Sequence, residues 1–177
     1  MECDGFASVV EALSFAAHKH RDQRRKDRES SPYINHPIAL MRVLALEVGL
    51  CDPRVLCAAL LHDTLEDTQT TPAELTARFG PEVCAIVLEV TDDKSLPKDE
   101  RKRLQIERAG RASEAARLVK LADKICNLRD MVESPPFDWE LERRRAYFDW
   151  AGAVVDRLRG THRELESLFD LVHARRP

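Results

Sequence analysis

DPRVLCAALLHDTLED, residues 52–67, decides the reading of this chain. Asp52 followed by Pro53 is a cap and first-turn pair for a helix running to about Asp67. Val55, Leu56, Ala58, Ala59, Leu60 and Leu61 make its body apolar almost all round, which predicts a central, buried helix. Its last turns read His62, Asp63, Glu66 and Asp67. Helical spacing sets Glu66 over His62 and Asp67 over Asp63, so the four form one polar stripe. Three carboxylates at a helix C-terminus oppose its dipole by roughly 0.3–1 kcal/mol each and also repel one another. A bound cation neutralises such a cluster; the alternative is a frayed end whose acids face water.

Outward from this stretch, the same punctuation recurs. Phe6 to His20 carries apolar residues at the spacing of one buried helix face, and the polar segment 21–35 reads as a loop. Pro37 suits the start of a second helix, with Gly49 just past its end. Thr71-Pro72 starts a short helix ended by Gly80, and Pro81 opens another reaching about Thr91. After a loop over 92–96, Pro97 begins a strongly charged helix, and Ser113 caps the next. Ser134-Pro135-Pro136 must interrupt helix. The last two helices span Trp139 to Arg159 and Thr161 to about Arg175, split at Gly160. Without repeats, low-complexity tracts or a linker, the expectation is an all-α fold, one domain over 1–177 of roughly nine or ten helices.

Bulk properties bound the partners. With 28 Lys plus Arg against 31 Asp plus Glu, the net charge is −3, and the strongly basic footprint of a nucleic-acid binder is absent. The apolar run from Val55 to Leu61 is too short to span a bilayer, and the acidic start MECDGFASVV lacks the basic n-region of a secretory signal. The five cysteines form no C-x-x-C pair and read as thiols of a reducing compartment. The expectation is a cytoplasmic protein without membrane, nucleic acid or obligate protein partner, and with a small-molecule ligand.

Two further polar positions stand out. In LVKLADKICNL, residues 118–128, Asp123 and Asn127 share a face one turn apart, with Lys120 one turn earlier. An Asp123–Lys120 surface pair is the bland alternative. His36 stands at the mouth of the second helix. Together with His62 and Asp63 these positions supply two imidazoles and two carboxylates from three helices. Adjacent residues on one helix diverge by about 100°, so His62 and Asp63 can take neighbouring positions on an ion. Such a nitrogen and oxygen set suits Mn²⁺, Fe²⁺, Co²⁺ or Zn²⁺ better than Ca²⁺. Four ligands on an octahedral ion leave two positions open, for water and a phosphate oxygen.

RRK at 24–26, PYINHP at 32–37, HDTLED at 62–67, VTDDK at 90–94 and LVKLADKICNLRD at 118–130 follow in order. This pattern resembles the HD superfamily of metal-dependent phosphohydrolases, and within it the hydrolase domain of the RelA/SpoT alarmone enzymes. It is most similar to their stand-alone small alarmone hydrolases, of the metazoan SpoT-homologue type, and the similarity extends through RRRAYFDWA at 143–151. The resemblance implies a single HD-type helical domain that removes the 3′-pyrophosphate from guanosine tetra- and pentaphosphate, (p)ppGpp, with Mn²⁺ as the usual metal. It places His36, His62, Asp63 and Asp123 on the metal ligands and Glu66 and Asp67 on the carboxylates that handle the attacking water. Arg25 and Lys26 fall on nucleotide- and phosphate-binding positions, Asn127 near the ribose, and Lys98, Arg143 and Tyr147 nearer the nucleotide. The loop departs from the family pattern in reading ESSPY where Gly or Thr often precedes the PY. At 177 residues the chain has no room for the synthetase and regulatory domains of the long enzymes.

Two other functions use the same residues. An NADPH 2′-phosphatase also acts on a phosphate carried by a ribose secondary hydroxyl, but releases orthophosphate. A non-catalytic nucleotide-binding module needs no water-handling acids, so Glu66 and Asp67 argue against it.

Overall fold

The structure, a computed structural model, describes residues 2–177, and side chains from Gly5 onward. Nine α-helices account for almost all of its regular structure: α1 Glu2–Lys19, α2 Asn35–Arg42, α3 Pro53–Leu61, α4 Thr64–Asp67, α5 Pro72–Val90, α6 Lys98–Ala109, α7 Glu114–Glu133, α8 Leu141–Asp156 and α9 Arg163–His173. Among the described residues the only extended pairing is an isolated antiparallel bridge, Arg24 with Pro32, inside the loop before α2. The all-α expectation holds.

Local chemistry sets most of the boundaries. The Asp52 side chain accepts from the Arg54 N–H, and Pro53 fills the first position of α3. Thr71 caps α5 through the Glu74 N–H, and Ser113 caps α7 through the Ala116 N–H. The two helices expected around Gly80 are one element bent there: Gly80 takes φ 85°, a conformation that glycine adopts without strain, and Pro81 restarts the helix. α8 starts at Leu141 and α9 at Arg163, each two residues later than expected, behind Glu140 and His162 at the cap positions. The second helix loosens into a π-helical turn, Val43–Glu47, before Gly49 ends it at φ 69°.

α3 and α7 are the buried axis. Ala58 to Leu61 are wholly inaccessible, as are Leu121, Ala122, Ile125 and Leu128 of α7. α3 packs on α1, α2, α5 and α7; α7 also receives α2, α5, α8 and α9. Cys57, Cys84 and Cys126 are free thiols within this core and Cys51 is a free thiol at the surface; Cys3 lies outside the described side chains. No helix among the described residues is long and apolar enough to cross a membrane.

One expectation needs correction. The helix of residues 53–67 is not continuous: α3 stops at Leu61, and Asp63 sits at φ −99°, ψ −1° before the four-residue α4. Thr64 Oγ1 donates to the Leu61 carbonyl at 2.7 Å, and His62 Nδ1 reaches the Ala59 carbonyl at 2.8 Å, so side chains occupy acceptors freed by the break. Glu66 and Asp67 therefore belong to the first turn of a separate helix rather than crowding the C-terminus of a long one. Their stripe survives in part, since the Asp67 N–H still donates to the Asp63 carbonyl at 2.8 Å.

Candidate functional site

His36, at the start of α2, and His62, just past α3, bring their rings together edge-on with centroids 5.3 Å apart. Asp123, midway along α7, completes a group whose ligand atoms all lie within 4.8 Å of one another. His36 Nε2 stands 3.2 Å from Asp123 Oδ1. Asp63 flanks this trio, its Oδ2 2.9 Å from His62 Nε2. Both imidazoles are about 95% buried.

The proton on His62 can be placed from its neighbours. A carbonyl oxygen only accepts, so the ring nitrogen facing Ala59 carries hydrogen, and in the neutral ring Nε2 presents a lone pair toward Asp63. Nε2 forms no hydrogen bond, despite its closeness to the Asp63 carboxylate. A lone pair facing a carboxylate in a buried site calls for a positive charge between them. Without a metal a proton fills that role. Burial alone would lower the His62 pKa, but the adjoining Asp63 outweighs it and pushes it up to about 9. His36, more affected by burial, is shifted down, and its Nδ1 is also without a partner. Burial would raise both aspartates; His62 instead holds Asp63 below the usual carboxylate range, and Lys124 with His36 does so for Asp123. The donor set therefore fits a divalent cation, which would satisfy the orphaned Nε2 and several buried charges at once.

Groups around the cluster fix its carboxylates. Tyr33 donates its hydroxyl to Asp63 Oδ2. Burial and that neighbouring carboxylate raise the phenol far above its ordinary value, so it stays a donor. Asp123 accepts from Asn127 Nδ2 at 2.6 Å and from Lys124 Nζ at 3.0 Å. Lys124, 4% exposed with its ammonium 4.3 Å from the Trp150 ring centroid, is the true partner of Asp123; Lys120 forms no pair with it. Glu66 accepts from the Asp92 N–H at 3.1 Å and lies 3.7 Å from an Arg101 Nη. Burial raises its carboxyl to about 7. Asp67 accepts from Gln23 Nε2 at 2.8 Å and pairs with Lys94. Tyr33, Gln23, Lys124 and Arg101 escaped the sequence reading. Only Tyr33 left a signal there, as the residue three before His36 in the PYINHP block.

Two cavities meet at the cluster. An inner pocket of about 190 Å³ is bounded by His62, Asp63, Glu66 and Asp123. It shares Tyr33, His36, Asn127 and Tyr147 with an open cavity of about 500 Å³ whose wall includes Arg25, Lys26 and Asp67. Ten of the twelve sequence-predicted residues thus line these two adjoining cavities. Arg25 pairs with Asp130, which lines the same open cavity, while the Lys26 side chain is exposed. Lys98 and Arg143 line neither cavity; both hold their cations over Trp139, at 5.7 and 4.1 Å from its ring centroid. Tyr147 is packed between Trp139 and Trp150. The space can hold an anionic nucleotide against a cation centre with a high-pKa carboxyl beside it.

Comparison with known proteins agrees with this geometry. A model of the HD domain matches residues 12–146. The chain is 57% identical over 160 residues to the human guanosine-3′,5′-bis(diphosphate) 3′-pyrophosphohydrolase MESH1, covering 90% of this chain and 89% of that one. It is 52% identical over 170 residues to the Drosophila melanogaster protein of the same name, covering 96% and 95%. A solved structure of a metazoan orthologue of SpoT, described as hydrolysing ppGpp, superposes with a TM-score of 0.93 at 52% identity over 96% of each chain.

Proposed function

This chain belongs to the HD domain family, and we propose that it hydrolyses (p)ppGpp at the ribose 3′ position, giving GDP or GTP plus inorganic pyrophosphate. The observation that carries this reading is the convergence of His36, His62 and Asp123 within 4.8 Å at the junction of the two cavities, with Glu66 in the wall. The enzyme is a divalent-metal-dependent hydrolase of a small nucleotide, and we assign Mn²⁺ as its metal.

His36, His62, Asp63 and Asp123 are the residues proposed to hold the ion. When bound, it supplies the charge that acidifies a water and polarises a phosphoryl oxygen. Glu66 is positioned to take the proton from the attacking water, because its carboxyl titrates near neutrality and Asp92 N–H fixes one of its oxygens. Asp67, held by Gln23 and Lys94, supports the same water. Arg25 and Lys26 neutralise the departing pyrophosphate; for Arg25 this requires exchanging Asp130 for phosphate oxygens, which a guanidinium grips in pairs. Asn127 bridges Asp123 and the ribose side of the open cavity. Tyr147 closes the inner pocket, and Lys98 and Arg143 set the cationic rim over Trp139.

Incubation of the purified protein with Mn²⁺ and either (p)ppGpp or NADPH, followed by identification of the phosphorus product, tests the reading. Pyrophosphate from (p)ppGpp is the expected result. Orthophosphate from NADPH with no turnover of (p)ppGpp assigns the 2′-phosphatase instead, and stoichiometric binding without product assigns a sensor.

Tyr33→Phe separates orientation from ligation. Loss of the hydroxyl leaves Asp63 free to rotate, so divalent-metal affinity is expected to fall about 10- to 100-fold, as is usual for residues that orient metal ligands. Mn²⁺ titration calorimetry measures it; an unchanged dissociation constant removes Tyr33 from the site.

A further inference from the structure

A third cavity, of about 220 Å³, lies between the end of α5, α6 and the start of α7. It shares no residue with the open nucleotide cavity, yet shares Asp92, Gln105 and Lys120 with the inner pocket around His62 and Asp123. Lys120 is 6% exposed, and its ammonium makes no hydrogen bond or ion pair among the described residues. The carboxylates around it are engaged elsewhere. Asp92 accepts from Gln105 at 2.6 Å, Glu66 from the Asp92 N–H, Glu89 from the Ser113 N–H at 2.7 Å, and Asp123 from Lys124. Arg108 and Arg111, the other cations of this wall, likewise form no ion pair among the described residues.

Asp92, Asp123 and Glu66 attract this ammonium at longer range but none accepts from it, so its N–H donors are left for an anion that can reach them. The volume equals roughly seven waters, enough for an anion of nine heavy atoms. We propose that Lys120, Arg108 and Arg111 form a subsite for inorganic pyrophosphate, to which the leaving group, first neutralised by Arg25 and Lys26, passes across the inner pocket while the nucleoside still fills the open cavity. Lys120 is the shared post between pocket and subsite, and the two arginines draw the anion outward. The proposal rests on the hydrolase reading above, because that reaction makes pyrophosphate.

The double variant R108E/R111E tests it. Both side chains are exposed and stand outside the metal cluster and the nucleotide cavity. Initial rates on guanosine tetraphosphate are measured at fixed free Mn²⁺ with added pyrophosphate. The inhibition constant for pyrophosphate is expected to rise about tenfold or more, as charge-assisted contacts are lost, while KM for the nucleotide stays within about twofold. An unchanged inhibition constant, or a KM that rises in step with it, overturns the subsite. A second measurement is independent of turnover: arginine side-chain NMR of the metal-free wild-type protein titrated with pyrophosphate. Saturable shifts at Arg108 and Arg111 support the subsite, and shifts confined to Arg25 overturn it. Failure to hydrolyse (p)ppGpp at all refutes the hydrolase reading and leaves this second measurement to decide the subsite alone.

Discussion

Asp123→Ala is expected to lower turnover by about 10³-fold or more and to remove Mn²⁺ binding, while the helical circular-dichroism spectrum is retained. Losing one carboxylate from the centre forfeits several kcal/mol of charge stabilisation in the transition state, and each 1.36 kcal/mol is tenfold in rate. The same carboxylate also balances Lys124, which is only 4% exposed. Its removal strands that ammonium, so the alanine variant is also expected to lose stability, roughly 3–5 kcal/mol for a broken buried pair. His62→Ala provides a second arm. It strands no cation, but it removes the ring that holds Asp63 ionised and a contact to the Ala59 carbonyl, leaving Tyr33 as the donor to that carboxylate. In the wild type, Mn²⁺ at 100 times its dissociation constant stabilises the fold by about 2.7 kcal/mol. That thermal shift should vanish in both variants. A wild-type shift with full activity in either one dismantles the ligand assignment.

How much of this was legible beforehand depends on whether local chemistry or tertiary contact decides the matter. Asp52-Pro53, Thr71-Pro72, Ser113 and Ser134-Pro135-Pro136 set helix ends through groups a few residues away, so their boundaries were readable. The interruption at His62-Asp63 was not. Nothing in HDTLED breaks a helix intrinsically; the break comes from Thr64 and His62 side chains capturing the Leu61 and Ala59 carbonyls, an outcome fixed by the site itself. The candidate ligands were visible because charged residues fused to an apolar segment violate the ordinary pattern. Their supporting groups were not. Lys124 and Asp123 are adjacent in sequence, where side chains on a helix usually diverge, yet the ammonium turns back between the Asp123 carboxylate and the Trp150 ring. Gln23 and Arg101 reach Asp67 and Glu66 across 44 and 35 positions, distances over which a single sequence carries no pairing signal. The cavity behind Lys120 shows the same limit: in LVKLADK the lysine reads as a surface partner for Asp123, and only packing reveals it as buried and unpaired.

Glu66→Gln is expected to separate catalysis from metal binding and to act on stability in the opposite direction. The amide cannot accept a proton from water, so turnover should drop about 10²- to 10⁴-fold, the usual worth of a positioned base. Mn²⁺ affinity should remain near wild type, because Glu66 is not among the four proposed ligands and is held instead by the Asp92 N–H. In the metal-free protein, burial raises the Glu66 carboxyl from 4.5 to about 7. The folded state therefore binds the proton more tightly than the unfolded chain does. Stability from this group is complete below about pH 4.5 and is lost as pH rises through about 7, leaving the folded protein roughly 1–3 kcal/mol poorer at pH 8. Glutamine carries no charge and still offers an oxygen to the Asp92 N–H. The variant's metal-free melting temperature should exceed that of the wild type at pH 8, and the two should converge near pH 4.5. An unchanged turnover rate moves the base elsewhere, and a variant less stable at pH 8 than at pH 5, relative to wild type, shows that the carboxylate is not the buried burden that its surroundings imply. Both outcomes together would mean that Glu66 serves packing alone. Activity lost with stability gained is the pattern of a side chain kept where the chemistry needs it, at the expense of the fold.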